Sequence, residues 1–213
     1  MIQLTKGPEP ARLQQHAEEW TRELIAAIAA GEKAEELRKS KYNHKDIKDA
    51  IKRETHNKCA YCESNPNHVT FGDIEHILPK SVKPELTYAW INLTLACDIC
   101  NTRKRDKGGF VDPYTENPSD HLQFFGPMLR PKDEHGRNTA VGLDLNRIAL
   151  IERRHEKLQD LDRRLIEIKA AQNQALKETL LQALQKYTLD PTTEFSACIS
   201  TYYAAVNAAG ADS

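Results

Sequence analysis

At 213 residues the chain has room for one ordinary domain, or one domain with a helical extension. A composition of 39% hydrophobic and 29% charged residues argues against wholesale disorder. With a formal net charge of −1, bulk charge cannot capture a polyanion, so any hold on phosphates must come from a local basic patch or a partner protein.

The opening Met1-Ile2-Gln3-Leu4-Thr5-Lys6 has no apolar core of signal-peptide length, and no segment approaches a membrane span. A cytoplasmic protein without membrane contact is expected. Residues 9–30 read as an amphipathic helix, with Leu13, Ala17, Trp20, Leu24 and Ile28 on one stripe. Gly31 is a stop signal, and the Ala/Glu/Lys-rich run after it should continue as helix or linker. A second helix is predicted over 44–56, with Ile47, Ala50 and Ile51 inward. From 57 to 108 the texture changes to cysteines, turn residues and short β-prone runs. Residues 109–145 carry Pro113, Pro118, Pro127 and Pro131 and read as irregular, with room for a small hairpin around Leu122-Gln123-Phe124-Phe125. One long helix is predicted from about Asp144 or Asn146 to 187, and a last helix from Pro191 through Tyr203. Cys198, among Phe195, Ile199 and Tyr202, reads as a buried small hydrophobe. The expected fold class is α+β, mainly helical. An N-terminal helical segment (1–56), a central ββα module (57–108) and a C-terminal region with the long helix (109–213) divide the chain.

Chemistry concentrates in the centre. Cys59-x-x-Cys62 and Cys97-x-x-Cys100 are two knuckles with 34 residues between them. In a reducing compartment such pairs read as metal ligands, and four thiolates complete a closed tetrahedral shell, which is a structural zinc site. Between the knuckles lies a β-prone run from Thr70 that Pro79 ends, carrying Glu75 beside His76. Neighbours in a strand normally face opposite ways, but at a strand end both side chains can reach one site. A second strand, Asn92 to Cys97, enters the second knuckle. Asn101 then opens a short helix bearing Arg103, Lys104, Arg105 and Lys107. Strand, loop, strand and helix make a ββα arrangement tied by zinc. A plain zinc ribbon without catalysis is the bland alternative.

These residues resemble the HNH nuclease motif in its four-cysteine form, C-x-x-C … (D/E)-H-I-x-P … N-L … C-x-x-C-N-x-x-K, over about a quarter of the chain. The resemblance implies a metal-dependent phosphodiesterase with His76 as general base. Glu75 and Asn101 become oxygen ligands to a divalent cation, and Asn92 the central residue that steadies the loop and orients the histidine. Imidazole, with a pKa of about 6.5, suits deprotonation of an attacking water near neutrality, with activity rising through that pH. Few, hard oxygen ligands favour Mg²⁺ or Mn²⁺. Lys104, one turn from Asn101, is expected to touch a phosphate. Asn101 could also cap its helix. Arg103 and Arg105 are phosphate contacts or a solvated face, His68 and Asp73 lie near the site without an assigned role, and His56 reads as exposed or behind the metal site.

Outside the motif, Ile2 to Pro10, Asp112-Pro113 … Asn117-Pro118, and Gly142-Leu143-x-Leu145-Asn146-Arg147 leading into Arg153-Arg154 are similar to HNH proteins of bacterial anti-phage defence, the PtuB family of Septu systems and related retron effectors. The resemblance implies an ABC-type ATPase partner, PtuA, and DNA or tRNA as substrate. In some systems a retron reverse transcriptase and its DNA-RNA product accompany them. The helices at 9–30 and 146–187 are candidate docking surfaces, the second equally able to pack on the first. The competing readings are a stand-alone restriction-type HNH endonuclease, and a non-catalytic zinc-binding adaptor.

Overall fold

The computed structural model describes residues 1–32, 41–66 and 72–211. The Ala/Glu/Lys-rich run after Gly31, His68 and the start of the β-prone run at Thr70 fall outside them. The expected mainly helical α+β class is what the chain adopts.

Helix α1 (Ala11–Ala29) follows Pro10 and buries Leu13, Leu24 and Ala27. Helix α2 (Lys45–Glu54) buries Ile47, Ala50 and Ile51. It ends where His56 and Asn57 turn left-handed, at φ 54° and 59°. Strands β1 (Asp73–His76) and β2 (Leu93–Ala96) pair antiparallel, with Asp73 opposite Ala96 and His76 opposite Leu93. Helix α3 (Asp98–Lys104) completes the ββα unit.

The apolar residues of the two strands, Ile74, Leu93 and Leu95, join Leu13, Leu24, Ile47, Ile51, Tyr88 and Trp90 in one core cluster. That cluster seats α1 and α2 on the small sheet, each buried Leu or Ile contributing roughly 1.5–3 kcal/mol. Lys6 adds a polar tie, pairing with Glu54 at 2.8 Å and donating to the Leu93 carbonyl.

A second cluster holds the four knuckle cysteines together with the C-terminal half. Here a short helix α4 (Pro118–His121) runs into a hairpin of β3 (Leu122–Phe125) and β4 (Met128–Pro131) that turns at Gly126, φ 57°. The hairpin expected from sequence is therefore present and residues 109–117 are irregular as expected, but helices flank the hairpin on both sides. Helix α5 (Glu134–Gly142) follows, capped by the Asp133 carboxylate, which accepts the Gly136 N–H at 2.7 Å. Two glycines inside α5 hid it, because glycine is a poor helix former.

The single long helix expected to 187 is two helices, α6 (Ile148–Ala170) and α7 (Gln174–Leu189). Ala171 goes extended at ψ 124°, and Asn173 restarts the chain by accepting the Leu176 N–H at 3.0 Å. The last helix, α8 (Ser196–Ala211), begins five residues beyond Pro191, which sits in the preceding turn. Helix α6 turns Leu158, Leu161, Leu165 and Ile168 toward the cluster containing Leu184, Phe195 and Ile199. The α1 stripe lies in the other cluster, so the long helix packs on its own C-terminal neighbours. Arg154 fastens α6 to the hairpin. Its fully buried guanidinium donates to the Leu145 carbonyl at 2.9 Å and lies over the rings of Phe124 and Phe195. Cys198 is fully buried, as expected, and burial pushes its thiol up to about 12. Among the described residues no helix is long and apolar enough to cross a membrane.

Candidate active site and metal centre

The two knuckles bring Cys59, Cys62, Cys97 and Cys100 together, with all four sulfurs within 4.8 Å of one another and buried. None is in a disulfide. The first knuckle is a tight turn closed by the Glu63 N–H on the Cys59 carbonyl (3.0 Å), with Glu63 at φ 63°. The Ala60 N–H donates to the Leu95 carbonyl at 2.8 Å, which attaches that turn to β2. The second knuckle is the junction of β2 with α3. A tetrahedral ion with bonds of about 2.3 Å to sulfur sets its ligands roughly 3.8 Å apart. The Cys62 and Cys97 sulfurs stand 3.8 Å apart. The Ser64 hydroxyl lies 3.0 Å from the Cys62 sulfur, and the Arg147 guanidinium reaches the Cys97 and Cys100 sulfurs at 3.8–3.9 Å. Burial opposes the charge on Arg147, yet the neighbouring thiolates raise its pKa. A soft, closed, cation-braced sulfur set suits zinc and offers no open coordination position.

A separate cavity of about 430 Å³ lies between β1 and α3. Asp73, Glu75, His76 and Asn101 all line it, with Tyr42, Lys80 and Arg105 at its edges. Period-two alternation places Asp73 and Glu75 on the same face of β1, and His76 joins them as the last strand residue. The His76 ring is almost wholly buried, edge-on to Tyr42 with centroids 4.8 Å apart. Its Nε2 sits 2.9 Å from the Thr87 carbonyl oxygen. A carbonyl only accepts, so Nε2 carries the hydrogen and Nδ1 is left with the free lone pair. Burial lowers the imidazole pKa to about 3, with Lys80 and Lys104 adding to the effect and the Thr87 bond opposing it.

Asn92 does not enter the cavity. Its amide accepts the Leu78 N–H (2.7 Å) and donates to the carbonyls of Leu78 (3.0 Å) and Leu86 (3.1 Å). It thus clamps the loop leaving β1 to the segment that presents the Thr87 carbonyl.

Two expectations need correction. Asn101 does not open or cap its helix, which begins at Asp98 with Cys97 as N-cap. It sits within α3, and its amide nitrogen donates to the Asp73 carboxylate at 2.9 Å. Lys104 does not face outward toward a phosphate. Its side chain is 1% exposed and bonds the Glu75 carboxylate at 2.9 Å and the His76 carbonyl at 2.6 Å. Burial pushes the Glu75 carboxyl up, and Lys104 pulls it back only part of the way. Asp73, left without a role by the sequence reading, is the addition to the site. The signal was present in its spacing, two residues before Glu75 on one strand. Arg103 pairs with Asp144 at 2.7 Å, whereas Arg105 leaves the helix at φ 46°.

Comparison with known proteins agrees with this geometry. Residues 59–107 match the family model of the HNH endonucleases. The chain is 35% identical over 107 residues to a Septu protein PtuB of Bacillus thuringiensis, covering 48% of this chain and 42% of that protein. It is 26% identical over 165 residues to a Septu protein PtuB of Bacillus mycoides (strain KBAB4), covering 60% and 56%. The chain thus spans about half the length of the curated relatives it matches. The cysteine-framed ββα unit, residues 59–107, is thus similar to the HNH endonucleases, and the chain is similar over part of its length to the Septu PtuB proteins.

Proposed function

We propose that the chain hydrolyses phosphodiester bonds of nucleic acid, DNA or tRNA, as the nuclease subunit of an anti-phage system that includes an ABC-type ATPase. The observation that carries this reading is the convergence of Asp73, Glu75, His76 and Asn101 on one cavity, with the histidine tautomer fixed from behind by Thr87. The donor set fits a hard divalent cation. The Glu75 carboxylate meets Lys104 through Oε1, and Asn101 meets Asp73 through its amide nitrogen, so a carboxylate and an amide oxygen stand side by side as hard donors. When bound, Mg²⁺ or Mn²⁺ supplies charge stabilisation for the phosphorane and the departing 3′ oxygen.

His76 Nδ1 takes a proton from the attacking water as the new P–O bond forms and the bond to the 3′ oxygen breaks. Lys104 holds the Glu75 carboxylate and the His76 backbone in register, and Asn92 holds the loop that carries Thr87. The four-cysteine centre, loaded with zinc, fixes α3 and therefore Asn101. Helices α1 and α6 to α8, outside the nuclease unit, are the surfaces proposed for the ATPase, and a retron product would enter through that assembly.

The test is cleavage of phage DNA and of total cellular RNA by the chain, with and without a PtuA-type ATPase, in Mg²⁺ and in Mn²⁺. Metal-dependent cleavage lost in His76→Ala, with zinc content unchanged, is the expected result. Cleavage by the alanine variant at the wild-type rate would sink the assignment.

A further inference from the structure

Three hollows on the surface are joined end to end. The catalytic cavity shares Arg105 with a second hollow of about 590 Å³ along α3, lined also by Ile99, Thr102, Arg103 and Lys107. That hollow shares Lys107 and Gly142 with a third, of about 440 Å³, walled by Phe110, Arg137 and Val141. The floor of the third is set by a close approach. A Cβ on Gly142 would lie 2.5 Å from a ring carbon of Phe110, so the aromatic ring rests directly on the α5 backbone.

Along the two outer hollows the arginines and lysine outnumber the acids. Arg103 is neutralised by Asp144, and Asp106, at the cavity edge, is held by the Ser81 hydroxyl at 3.0 Å. Asp98 is the acid on the wall of the second hollow. Arg105, Lys107 and Arg137 form no ion pair among the described residues, and all three are exposed. In a chain of net charge −1 this is a local surplus of positive charge. It begins at the cavity, runs off the end of α3 and finishes on α5, an element the nuclease motif does not contain.

We infer that one strand of the nucleic-acid substrate leaves the catalytic cavity along this line, its phosphates meeting Arg105, Lys107 and Arg137 in turn. The inference rests on the nuclease reading of the cavity. Exposed Ile99 and Val141 and the ring of Phe110 supply apolar surface for sugars and bases between the cations, as single-strand grooves do. Arg137 is the specific claim, because it assigns a substrate contact to the C-terminal region.

Anisotropy titrations of the full chain with labelled oligothymidylate and oligouridylate, without Mg²⁺ or Mn²⁺, read binding independently of cleavage. For the double variant Lys107→Ala/Arg137→Ala, affinity should fall roughly twentyfold at 0.1 M salt and the salt slope should shrink by about 1.4, since single strands release ~0.7 counterions per phosphate contact. Arg163→Ala, on an α6 arginine that lines none of the three hollows, is the control and should bind as wild type. Equal loss in both arms assigns the line to the shared backbone, and a larger loss for one polymer identifies the substrate. Undiminished binding by the double variant, an equal loss in Arg163→Ala, or no wild-type binding even at low salt would overturn the inference. A chain that binds along this line but never cleaves with metal and ATPase would instead overturn the nuclease reading.

Discussion

The Nε2–H of His76 points at the Thr87 carbonyl oxygen, 2.9 Å away. This bond leaves the Nδ1 lone pair to the proposed base, and burial keeps the ring uncharged by lowering its pKa to about 3. An ordinary imidazole would make activity rise with a midpoint at about 6.5. With the folded pKa depressed, the neutral, active form persists through that range. Cleavage should therefore show no inflection between pH 6 and 7, and acid loss should come from protonation of the carboxylates, beginning with Glu75, whose carboxyl burial raises. An NMR titration of His76 with a midpoint near 6.5 would contradict this.

Lys104 should behave as a buried counter-ion. Removing one partner of a buried pair leaves the other charge uncompensated, at a cost of about 3 kcal/mol or more. Lys104→Ala should lower chemical-denaturation stability by that amount and abolish cleavage, while the salt slope of nucleic-acid binding stays unchanged. A slope reduced by the increment of one phosphate would return Lys104 to the surface role first expected of it.

Metal analysis should find one zinc per chain. Cys97→Ser should unfold the ββα unit and lose the ion together, because binding and folding are coupled at such sites. Arg147→Ala should keep the fold but release zinc to a competing chelator faster than wild type, since the N–H···S contacts at 3.8–3.9 Å hold charge on the thiolates. Equal release rates would show that those contacts contribute nothing.

Glu63 is held by the Met1 ammonium (2.6 Å), Lys58 (3.4 Å) and the Ser196 hydroxyl (2.8 Å). Burial alone would push its carboxyl up, but these partners outweigh that and hold it down at about 2. A depressed carboxylate stabilises the fold above its ordinary pKa of about 4.3, and that stability is lost as pH falls toward the folded value. Glu63→Gln should be less stable than wild type at pH 7, and the gap should close between roughly pH 4 and 2, as thermal melts would show.

Gly136 is a steric requirement. A Cβ there would sit 2.0 Å from the backbone oxygen of His121, so α5 could not lie against the start of the hairpin. Gly136→Ala should cost about 2 kcal/mol or more despite the better helix propensity of alanine. A neutral or raised melting temperature would refute it.

The ligand knuckles and the Glu75-His76 pair were legible because their chemistry depends on spacing along the chain. Asn92 was legible for the same reason. The spacing of Asp73 put it on the Glu75 face, but its bond to Asn101, like the burial of Lys104, depends on how α3 lies across β1, a tertiary relation that residue types do not encode. Lys104 was read from its helical period alone, which fixes a face but not what covers that face. The break at 171–173 escaped because Ala170-Ala171-Gln172 carries no strong helix breaker, and only the Asn173 cap marks it.

The close tie between the four thiolates and the cavity also decides how the protein fails. Cys100 and Asn101 are adjacent, so, with zinc bound as proposed, an electrophile or oxidant that strips the ion from the sulfurs also unlatches a cavity residue. Damage and inactivation should then be one event. Activity should fall in step with zinc released, whatever the modification state of the fully buried Cys198.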